Sequence, residues 1–574
     1  MSKPGNLPQQ LDRLLQHAVA LQQNGALVEA EEVYREILEL KPRHFDALKW
    51  LGELALQTGR VQEGADLLKK ALAVNAKQAP VHSNLAYALN ALQRYAEGLA
   101  SADRAVALQR DFADAWNNRG NALAGLNRPL QALDAFDRAI ALTPDAATSW
   151  NNRACLLRDM GRTDEALANL EHALALQPNY PSAWSNRGNV LSDLNRPQEA
   201  ERSYRRALEL APAFAEAWNN LGLTQIDLNQ HEAALSSYER ALALDPTAVE
   251  THWNQSLCLL QTGRFEAGWR KYERRWERAR IKADRRSFAQ PLWLGDFSLD
   301  GKTILLHAEQ GLGDTLQFCR YASMVSKLGA RVVLEVPPPL MRLMTTLDGV
   351  DQLIEAGQPL PPFDCHCPLL SLPLAFGTDA TSIPSATPYL FADDAAVLAW
   401  RERVDAQPDR RLKVGLVWAG ENRLHAAELR KIDGRRSIAF ERFAPLLDVP
   451  NVRFFSLQKG AAASQLSGSE LGAHVSDYTE ALHDFADTAA LVANLDLVIS
   501  VDTSTAHLAG ALNRPVWILN RLDSCWRWLL ERSDTPWYPG ARLFRQPVLG
   551  DWDSVIEAVR EALAELSASV AARD

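Results

Sequence analysis

The first half of the chain repeats itself every 34 residues. Four kinds of residue mark the period: tryptophans at Trp116, Trp150, Trp184 and Trp218, prolines at Pro42, Pro144, Pro178, Pro212 and Pro246, small residues at Ala30, Gly64, Gly98, Ala132, Ala166, Ala200, Ala234 and Gly268, and aromatic residues at Tyr34, Phe136, Tyr204, Tyr238 and Tyr272. A fixed period of this length indicates tandem supersecondary units, which bury a continuous core only by stacking on their neighbours.

This period and pattern resemble the tetratricopeptide repeat (TPR) family, in which each unit is a pair of antiparallel helices. The resemblance implies an α-solenoid, a TPR superhelix with a concave face, over residues 11–280. Seven complete units span residues 11–248, and a degenerate eighth follows, in which Arg275 replaces the usual alanine. The small residues would let the two helices of a unit approach closely, and the proline would end the second helix.

Asparagines form a ladder with the same spacing, two residues after the tryptophan register: Asn84, Asn118, Asn152, Asn186, Asn220 and Asn254. Helix propensity does not explain this ladder, because asparagine is a mediocre helix former. We expect the ladder to face the groove of the superhelix, where amides can bind the backbone of an extended peptide. It resembles the ladder of TPR-bearing protein O-GlcNAc transferases, where the asparagines bind the acceptor polypeptide. The alternative is that the amides form hydrogen bonds between neighbouring repeats.

Charge, apolar runs and cysteines narrow the possible classes of function. The net charge of −10 gives no electrostatic case for binding nucleic acid. The N-terminal residues lack the apolar core of a signal peptide, and no apolar run reaches the ~18 residues of a membrane span. We therefore expect a cytoplasmic protein without a membrane span. The adjacent Cys365, His366 and Cys367 cannot close a tetrahedral site around one ion, so we expect no metal site.

After Arg280 the 34-residue period stops, and short apolar runs alternate with amphipathic helices, which predicts parallel α/β sheets. Strands are predicted at 303–307, 331–336, 413–418, 452–457, 495–500 and 515–519, and helices at 315–327 and 552–566. This arrangement resembles the GT-B architecture, an α/β fold of two Rossmann-like lobes. We assign residues 296–395 to an N-terminal lobe on the acceptor side, 396–550 to a C-terminal lobe on the nucleotide-sugar side, and 551–574 to a closing helix and tail. Ligands should bind at the carboxyl ends of the strands, between the lobes.

One candidate motif directly follows the first predicted strand. Gln310, Gly311 and Gly313 form an acceptor-side loop, because glycine lets the backbone turn tightly and approach a ligand. Asp314 begins the following helix, where its carboxylate is a candidate functional group. Its other possible role is to cap that helix, and the two roles are compatible.

A second candidate motif follows the strand predicted at 495–500. Asp502, Thr503 and Ser504 form a polar loop at a helix N-terminus, where free N–H groups and the helix dipole suit a diphosphate. His507 falls one turn into that helix and is expected to face the same site. The alternative is a buried His–Asp pair that only shapes the turn.

Both motifs lie in segments, 303–320 and 484–519, that resemble the two signature regions of the lipopolysaccharide heptosyltransferase family. The resemblance implies that Asp314 is the base that activates the acceptor and that residues 502–507 lie on the donor side. Ser504 departs from the glycine of that family, and residues 418–420 depart from its His-Pro-Gly sequence. We therefore expect a relative of that family whose donor and acceptor are unassigned.

These resemblances together imply a metal-independent glycosyltransferase with no cofactor. Its donor would be a nucleotide-diphosphate sugar bound by Trp418, Gly420, residues 502–507 and a cation such as Lys459, with residues 435–436 as further candidate cations. Cations and helix dipoles can stabilise a leaving diphosphate. The TPR groove would present the acceptor, a protein. Alternatively, the acceptor is a glycan or lipid, and the repeats serve only assembly. The rival hypothesis is a TPR protein-binding scaffold with a catalytically inactive transferase-like domain.

Overall fold

The structure, a computed structural model, describes residues 7–282, 285–405, 410–421 and 427–571. The chain divides into two compact units, Met1–Leu221 and Gly222–Asp574. The second unit therefore contains the last repeats together with the α/β part. Residues 572–574 of the predicted C-terminal tail lie outside the described residues, and the domain bounds at 280, 296 and 395 stay predictions.

Within residues 7–272, all of which the structure describes, sixteen helices form consecutive pairs joined by short turns. They are α1 (Leu7–Gln23), α2 (Leu27–Leu40), α3 (Phe45–Gln57), α4 (Val61–Val74), α5 (Ala79–Ala91), α6 (Tyr95–Leu108), α7 (Ala113–Gly125), α8 (Pro129–Leu142), α9 (Ala147–Asp159), α10 (Thr163–Leu176), α11 (Pro181–Asp193), α12 (Pro197–Leu210), α13 (Ala215–Asp227), α14 (His231–Leu244), α15 (Val249–Gln261) and α16 (Phe265–Tyr272). The predicted α-solenoid is confirmed.

A residue with left-handed backbone conformation ends the first helix of every pair. The positions again recur every 34 residues: Gly25, Gly59, Gln93, Asn127, Gly161, Asn195, Asn229 and Gly263. Glycine adopts positive φ without a steric penalty, and asparagine tolerates it, which explains the residue types at most of these positions. The second helix of the pair begins two residues later in each case. The turn within a repeat is thus fixed by one backbone conformation.

Residue volumes complement each other where the two helices of a pair approach most closely. A Cβ atom at Gly120 would lie 2.6 Å from the ring of Phe136 on the second helix. In the next repeat the equivalent positions carry Ala154 and Leu170, a larger residue facing a smaller one. The two helices therefore stay close in both repeats, because a larger residue on one helix faces a smaller residue on the other.

The eighth pair keeps the repeat register but ends early. α16 has 8 residues, and a 3-10 helix at Glu273–Glu277 follows it directly. A Cβ atom at Gly268 would lie 2.6 Å from Leu260, so the small-residue register again lies at close helix approach. Trp269 and Tyr272 belong to the same buried core as the sheet that follows in the chain. The degenerate eighth repeat is thus built into the α/β part.

Ten strands are present in the described residues after 284: β1 (Thr303–His307), β2 (Arg331–Val336), β3 (Gln352–Glu355), β4 (Cys365–Pro368), β5 (Leu412–Val417), β6 (Val452–Ser456), β7 (Val475–Asp477), β8 (Leu497–Val501), β9 (Val516–Asn520) and β10 (Ala541–Arg545). The helices of this part are α17 (Ala279–Lys282), α18 (Leu312–Phe318), α19 (Ala322–Ser326), α20 (Met341–Met344), α21 (Leu372–Ala375), α22 (Asp394–Val404), α23 (Ala427–Arg436), α24 (Ala444–Leu447), α25 (Ser464–Ser467), α26 (Phe485–Val492), α27 (Ser504–Ala511) and α28 (Trp552–Ala571).

The strands form two sheets in which all described pairings are parallel. The first sheet has the order β3-β2-β1-β4, and the second has the order β10-β9-β8-β5-β6-β7. Counted from its own first strand, the second sheet has the 3-2-1-4-5-6 order of doubly wound folds. The order reverses between β1 and β4 in the first sheet and between β5 and β8 in the second. Open parallel sheets bind ligands at such reversal points, outside the carboxyl ends of the strands.

The sequence patterns predict the central strands better than the edges. The strands predicted at 303–307 and 331–336 have those bounds, and the others that were expected begin or end within two residues of their predicted positions. The helix predicted at 315–327 is instead α18 and α19, separated by a 3-10 helix at Cys319–Tyr321. The patterns miss β3, β4, β7 and β10, which have three to five residues each. The α/β class with parallel sheets is confirmed.

The Cys-His-Cys segment forms β4, beside β1. Successive side chains of a strand point to opposite faces. Cys365 and Cys367 are buried, whereas His366 is half-buried and lies 3.3 Å from a ring nitrogen of His307. In the part of the chain that the structure describes, no three Cys, His, Asp or Glu side chains are placed to hold a metal ion. The described helices include none with the length and hydrophobicity to cross a membrane.

Arg320, two residues after α18, connects three segments of the second unit. Its buried guanidinium donates hydrogen bonds to the carbonyls of Pro384 (2.9 Å) and Trp537 (2.8 Å) and to the hydroxyl of Tyr389 (2.8 Å). The cation also lies over the rings of Tyr389 and Tyr538, at 4.4 and 4.7 Å from their centres. These contacts link α18 with the segment between the sheets and with the segment that follows β9.

We predict that Gly120→Ala lowers the free energy of unfolding of the repeats by about 1–3 kcal/mol, because the added methyl group overlaps the Phe136 ring. Phe136→Leu should then recover part of the loss, because the double variant has the Ala–Leu combination of Ala154 and Leu170. Urea denaturation followed by far-UV circular dichroism measures both effects. Phe136→Leu alone is the control, and it should destabilise by leaving a cavity. Additive losses in the double variant would contradict the volume exchange.

Candidate functional site

The predicted motifs lie at the two reversal points of strand order. Residues 308–311, the β1 loop, follow β1 and contain Gln310 and Gly311. Residues 418–421, the β5 loop, follow β5, and residues 502–503, the β8 loop, lie between β8 and α27. Each loop is at the carboxyl end of a central parallel strand, where such sheets bind ligands.

The N-terminal ends of α18 and α27 pack against each other and bring the two motifs together. A Cβ atom at Gly313 would lie 3.0 Å from His507 Cδ2 and 3.4 Å from Ser504 Cα. A larger residue at 313 would therefore push the two helices apart. Gly313 is the residue that lets the β1 loop and the β8 loop share one region of the molecule.

Asp314 is the third residue of α18, and both of its carboxylate oxygens have partners. Oδ2 accepts a hydrogen bond from the amide of Gly311 at 2.9 Å, which caps the N-terminus of the helix. Oδ1 forms an ion pair with Nη2 of Arg527. The side chain keeps 19% of its accessible surface, so one edge faces solvent. The capping role expected as an alternative is present, together with an ion pair that no sequence motif indicates.

Arg527 belongs to residues 521–528, the β9 loop, which follows β9. Its Nε donates a 2.6 Å hydrogen bond to Gln317, and its guanidinium lies 4.3 Å from the ring centre of Trp526. Burial opposes the charge on Arg527, but the neighbouring Cys525 and Asp314 outweigh burial and raise the pKa of the guanidinium above its usual value. Arg527 is therefore a permanent buried cation beside the candidate base.

His507 lies on α27 and is buried. Nδ1 shares a 2.9 Å hydrogen bond with the hydroxyl of Tyr538, and the ring stacks on Trp528 with a centre-to-centre distance of 5.4 Å. Burial, followed by the positive charge of Arg527, lowers the pKa of His507 to about 3. The imidazole is thus neutral at neutral pH. Its described hydrogen bond goes to Tyr538 and not to Asp502, the partner expected in the structural interpretation.

Arg436 is the cation that lies over the β5 loop. A Cβ atom at Gly420 would lie 2.4 Å from Nε and from Nη2 of Arg436, and Nη1 donates to the carbonyl of Asp502 at 3.2 Å. Nη2 also pairs with Asp433 at 2.9 Å. Nε is buried and has no hydrogen-bond partner among the described residues. Arg436 thus contacts both the β5 loop and the β8 loop. Its buried Nε–H is a donor that a bound ligand could use.

The neighbouring Arg435 holds the β9 loop. Nη1 pairs with Asp227, at the end of α13, at 2.7 Å and with Asp523 at 2.8 Å. The carbonyl of Ser524 accepts a 2.9 Å hydrogen bond from Gln261 of α15. The loop that carries Arg527 is therefore attached to two repeat helices of the second unit.

Two residues predicted to bind the donor, Trp418 and Lys459, have side chains that contact other parts of the protein. The ring of Trp418 is fully buried and packs against Phe440, so only the backbone of this residue borders the site. Lys459 Nζ donates to the carbonyls of Thr479 (2.7 Å) and Leu482 (3.0 Å), which ties it to the segment after β7. Thr503 shares a 3.0 Å hydrogen bond between its hydroxyl and that of Ser500, beside the start of α27.

Two residues outside the predicted motifs also shape these strand ends. Gln458, after β6, accepts hydrogen bonds from the amides of Trp418 (3.0 Å) and Ala419 (2.8 Å) and so fixes the β5 loop. Asn520, the last residue of β9, is fully buried, and its side-chain nitrogen and oxygen have no partner in the described chain. Asn520 follows Leu519, which pairs in register with Val501, the residue before the β8 loop. A polar residue at the end of a predicted strand can be recognised in the sequence. That signal does not distinguish Gln458 and Asn520 from the other polar residues of these loops.

The asparagine ladder forms hydrogen bonds between repeats in the first unit. Each side-chain nitrogen donates to a residue of the preceding repeat: Asn84 to Glu53 (3.0 Å), Asn118 to the carbonyl of Ser83 (3.1 Å), Asn152 to Asn117 (3.1 Å), Asn186 to Asn151 (2.9 Å) and Asn220 to Asn189 (3.0 Å). Asn254 lies on α15, in the second unit. These bonds are those of the second interpretation of the ladder, and its binding of a peptide stays a prediction.

The low pKa of His507 predicts that acid destabilises the second unit. The unfolded chain protonates this imidazole below about pH 6.5, whereas the folded protein keeps it neutral down to about pH 3. The unfolded state therefore binds more protons in this window, so the free energy of unfolding falls as the pH falls through it. Between pH 7.5 and 5 the loss from His507 should be about 2 kcal/mol.

His507→Gln removes this titration and serves as the comparison. Guanidinium denaturation at pH 7.5 and at pH 5, followed by tryptophan fluorescence, measures the difference. The variant should lose about 2 kcal/mol less than the wild type between the two pH values. An equal loss in both proteins would contradict a neutral buried His507.

Family comparisons identify the repeat region. Three family models described as tetratricopeptide repeat match the chain. One matches residues 21–86, the second matches 111–179 and 145–213, and the third matches 186–247 and 220–284. Protein FlbA of Caulobacter vibrioides is 28% identical over 302 residues, which are 48% of this chain and 48% of that protein. The chain thus spans about half the length of this curated relative.

Two solved structures similar to part of this chain are described as TPR proteins. One comes from Parabacteroides merdae, with 17% identity, a TM-score of 0.38 and coverage of 44% of this chain and 99% of its own. Another is YrrB, described as a TPR protein with an unusual peptide-binding site, with 24% identity, a TM-score of 0.26 and coverage of 33% of this chain and 96% of its own. The family matches show that the helix pairs within residues 21–86 and 111–284 are tetratricopeptide repeats.

Proposed function

We propose that this protein is a TPR glycosyltransferase. The second unit would transfer a sugar from a nucleotide-diphosphate donor to a hydroxyl or amine, and the repeats would bind the protein that carries this acceptor. One observation carries the proposal: α18 and α27, at the reversal points of two parallel sheets, meet at Gly313. That contact brings the carboxylate of Asp314 to the same region as the N-terminus of α27. A GT-B arrangement of the two sheets is part of the proposal.

In the proposed reaction, Asp314 takes the proton of the acceptor as the acceptor atom attacks the anomeric carbon and the nucleoside diphosphate leaves. The hydrogen bond to Oδ2 and the ion pair at Oδ1 leave room for this role, because each carboxylate oxygen can accept more than one hydrogen bond. The exposed edge of the side chain gives the acceptor access. Capping of α18 by Oδ2 holds the carboxylate in one orientation.

The ion pair with Arg527 would regulate the base. In this ion pair the guanidinium occupies Oδ1 of Asp314, which leaves that oxygen less accessible to an acceptor. A donor diphosphate that engages Arg527 would draw the cation away from Asp314. Oδ1 of Asp314 would then become accessible to the acceptor only when the donor is in place.

Arg436 and α27 are the proposed contacts of the donor diphosphate. Arg436 has a buried Nε without a described partner, and the N-terminus of α27 begins directly after the β8 loop. Fixed cations and helix N-termini stabilise the charge of a leaving diphosphate without a metal ion. Asn520, with its unpartnered buried amide, is a further candidate contact at the adjacent strand end.

The second candidate function is a TPR scaffold that binds proteins and whose α/β part does not catalyse transfer. The specific observation in its favour is the same ion pair, because Arg527 occupies one oxygen of the carboxylate that the transferase would use as its base. Both candidate functions share a peptide or protein partner of the repeats, and they differ in whether the second unit binds a donor. Cellular location is likewise a proposal, and we place the protein in the cytoplasm.

We predict that one nucleotide-diphosphate sugar, in a panel of uridine, guanosine, adenosine and cytidine diphosphate sugars, raises the melting temperature of the full-length protein. A ligand at 100 times its dissociation constant stabilises the folded state by about 2.7 kcal/mol. Arg436→Gln should lose most of this shift, because it removes the cation between the β5 and β8 loops.

Arg442→Gln is the matched control for Arg436→Gln. Arg442 pairs with Asp553 and is 46% exposed, so its loss should leave the ligand-induced shift unchanged. A shift for no donor in the wild type would favour the scaffold over the transferase.

We predict that Asp314→Asn reduces transfer at least 100-fold while the dissociation constant of the donor does not rise by more than about threefold, because general-base catalysis typically contributes 10²–10⁴. Isothermal titration with the donor and a transfer assay with radiolabelled sugar measure the two quantities. Asp534→Asn, at an exposed carboxylate paired with Arg532, is the control. Wild-type turnover in Asp314→Asn would show that another group accepts the proton.

A further inference from the structure

Arg275 occupies a position that is a buried alanine in six preceding repeats: Ala71, Ala105, Ala139, Ala173, Ala207 and Ala241. Arg275 is also fully buried, although it is much larger and charged. Packing within the repeat does not require an arginine here, because six other repeats pack with a methyl group. The reason for this residue is therefore found in what its side chain contacts beyond its own repeat.

The guanidinium of Arg275 binds Glu309 of the β1 loop. Nε and Nη2 bind the two carboxylate oxygens of Glu309 at 2.9 and 2.7 Å, in the bidentate geometry that fixes both distance and orientation. Nη1 pairs with Glu273 at 2.6 Å, and Nη2 also donates to the hydroxyl of Ser371 at 2.7 Å. One side chain of the last repeat thus holds the residue two positions before Gly311.

Stability alone does not account for this buried cluster. Burial opposes the charge on Arg275, and the two glutamates outweigh burial and raise its pKa above the usual value. Replacing buried ion pairs by well-packed apolar residues often leaves a protein as stable or more stable. What an apolar pair cannot supply is the directional contact between the guanidinium and the Glu309 carboxylate.

The next residue of the β1 loop is held by the same repeat. Gln310 has a φ of 59°, a left-handed conformation that a residue other than glycine keeps only where its surroundings enforce it. Its side-chain amide donates a 3.1 Å hydrogen bond to the hydroxyl of Tyr272. The residue after that, Gly311, donates its backbone N–H to Asp314. Successive residues 309, 310 and 311 therefore connect the last repeat to the candidate base.

We propose that Arg275 and Tyr272 are positioning residues of the candidate site: they set the conformation of the β1 loop and, through Gly311, the place of the Asp314 carboxylate. The role in transfer rests on the proposed function, whereas the control of loop conformation does not. The last repeat is on this account a part of the site itself and not only a binding module.

The test uses hydrogen–deuterium exchange of the full-length protein, with peptides that cover residues 308–316. Arg275→Lys keeps the charge but loses the bidentate contact with Glu309, and Tyr272→Phe removes only the hydroxyl that binds Gln310. Each variant should speed exchange in 308–316 by about tenfold or more, because a hydrogen bond that closes the loop is lost. Exchange in α5 to α10, within the first unit, should stay within about twofold of the wild type.

Arg274→Gln is the matched control. Arg274 is the preceding residue in the chain, and it pairs with Glu277 near the surface, at 31% exposure. This variant should leave exchange in 308–316 unchanged. If Arg275→Lys does not fold, Tyr272→Phe decides the outcome by itself, because its aromatic ring keeps the packing of the core.

A kinetic measurement separates positioning from mere support of the fold. In a transfer assay, Arg275→Lys and Tyr272→Phe should lower kcat about tenfold or more while the donor dissociation constant stays within about twofold. Unchanged exchange in 308–316 in both variants would overturn the proposal. If the wild type shows no transfer with any donor, the proposed function fails, and faster loop exchange in the variants still supports the positioning role.

Discussion

Buried guanidinium groups hold the second unit in the arrangement on which the candidate site depends. Arg275, Arg320, Arg435 and Arg527 each contact segments that are far apart in the chain. A guanidinium offers five donors in one plane, so a single side chain can fix several segments at set distances. Apolar packing alone would allow these loops to slide, because dispersion contacts are not directional. The meeting of the β1, β5, β8 and β9 loops is therefore an electrostatic arrangement built on an apolar core.

The helix pairs of the repeat region could be predicted almost completely from the sequence, because the residues that determine them recur from repeat to repeat. The left-handed turn recurs from Gly25 to Gly263, and the exchange of volume between Gly120 and Phe136 has its counterpart at Ala154 and Leu170. A single repeat would not reveal either rule. Periodicity averages out the individual departures, such as Gln93 at a turn where other repeats have glycine or asparagine.

The α/β part was less accessible to sequence reasoning, and the reasons are physical. Its central strands are apolar runs, but edge strands such as β7 have only three residues and mixed polarity. The pairing of Arg527 with Asp314 joins residues 213 positions apart, and nothing local to either residue indicates the other. The tryptophans on either side of Arg527 are buried, and the arginine between them is what reaches the candidate base.

The asparagine ladder gives the first unit a second kind of connection. Apolar side chains bury surface between helices, and each amide adds one directional bond to the preceding repeat. Such bonds fix the offset from one repeat to the next, which determines the spacing of any groups that the repeats present to a partner. A ladder of this kind is compatible with ligand binding, because the asparagines are mostly half-buried rather than fully enclosed.

The short eighth repeat has a consequence for how the length of such a protein can change. In a repeat array each unit contacts mainly its neighbours, so whole units can be gained or lost without altering the rest. That freedom ends at α16, whose Trp269 and Tyr272 lie in the core of the following sheet. Evolution can therefore lengthen or shorten the array at its beginning or middle, while the last pair of helices must be inherited together with the α/β part. The eighth repeat is thus the one unit of the array that cannot be removed without disrupting the core of the α/β part.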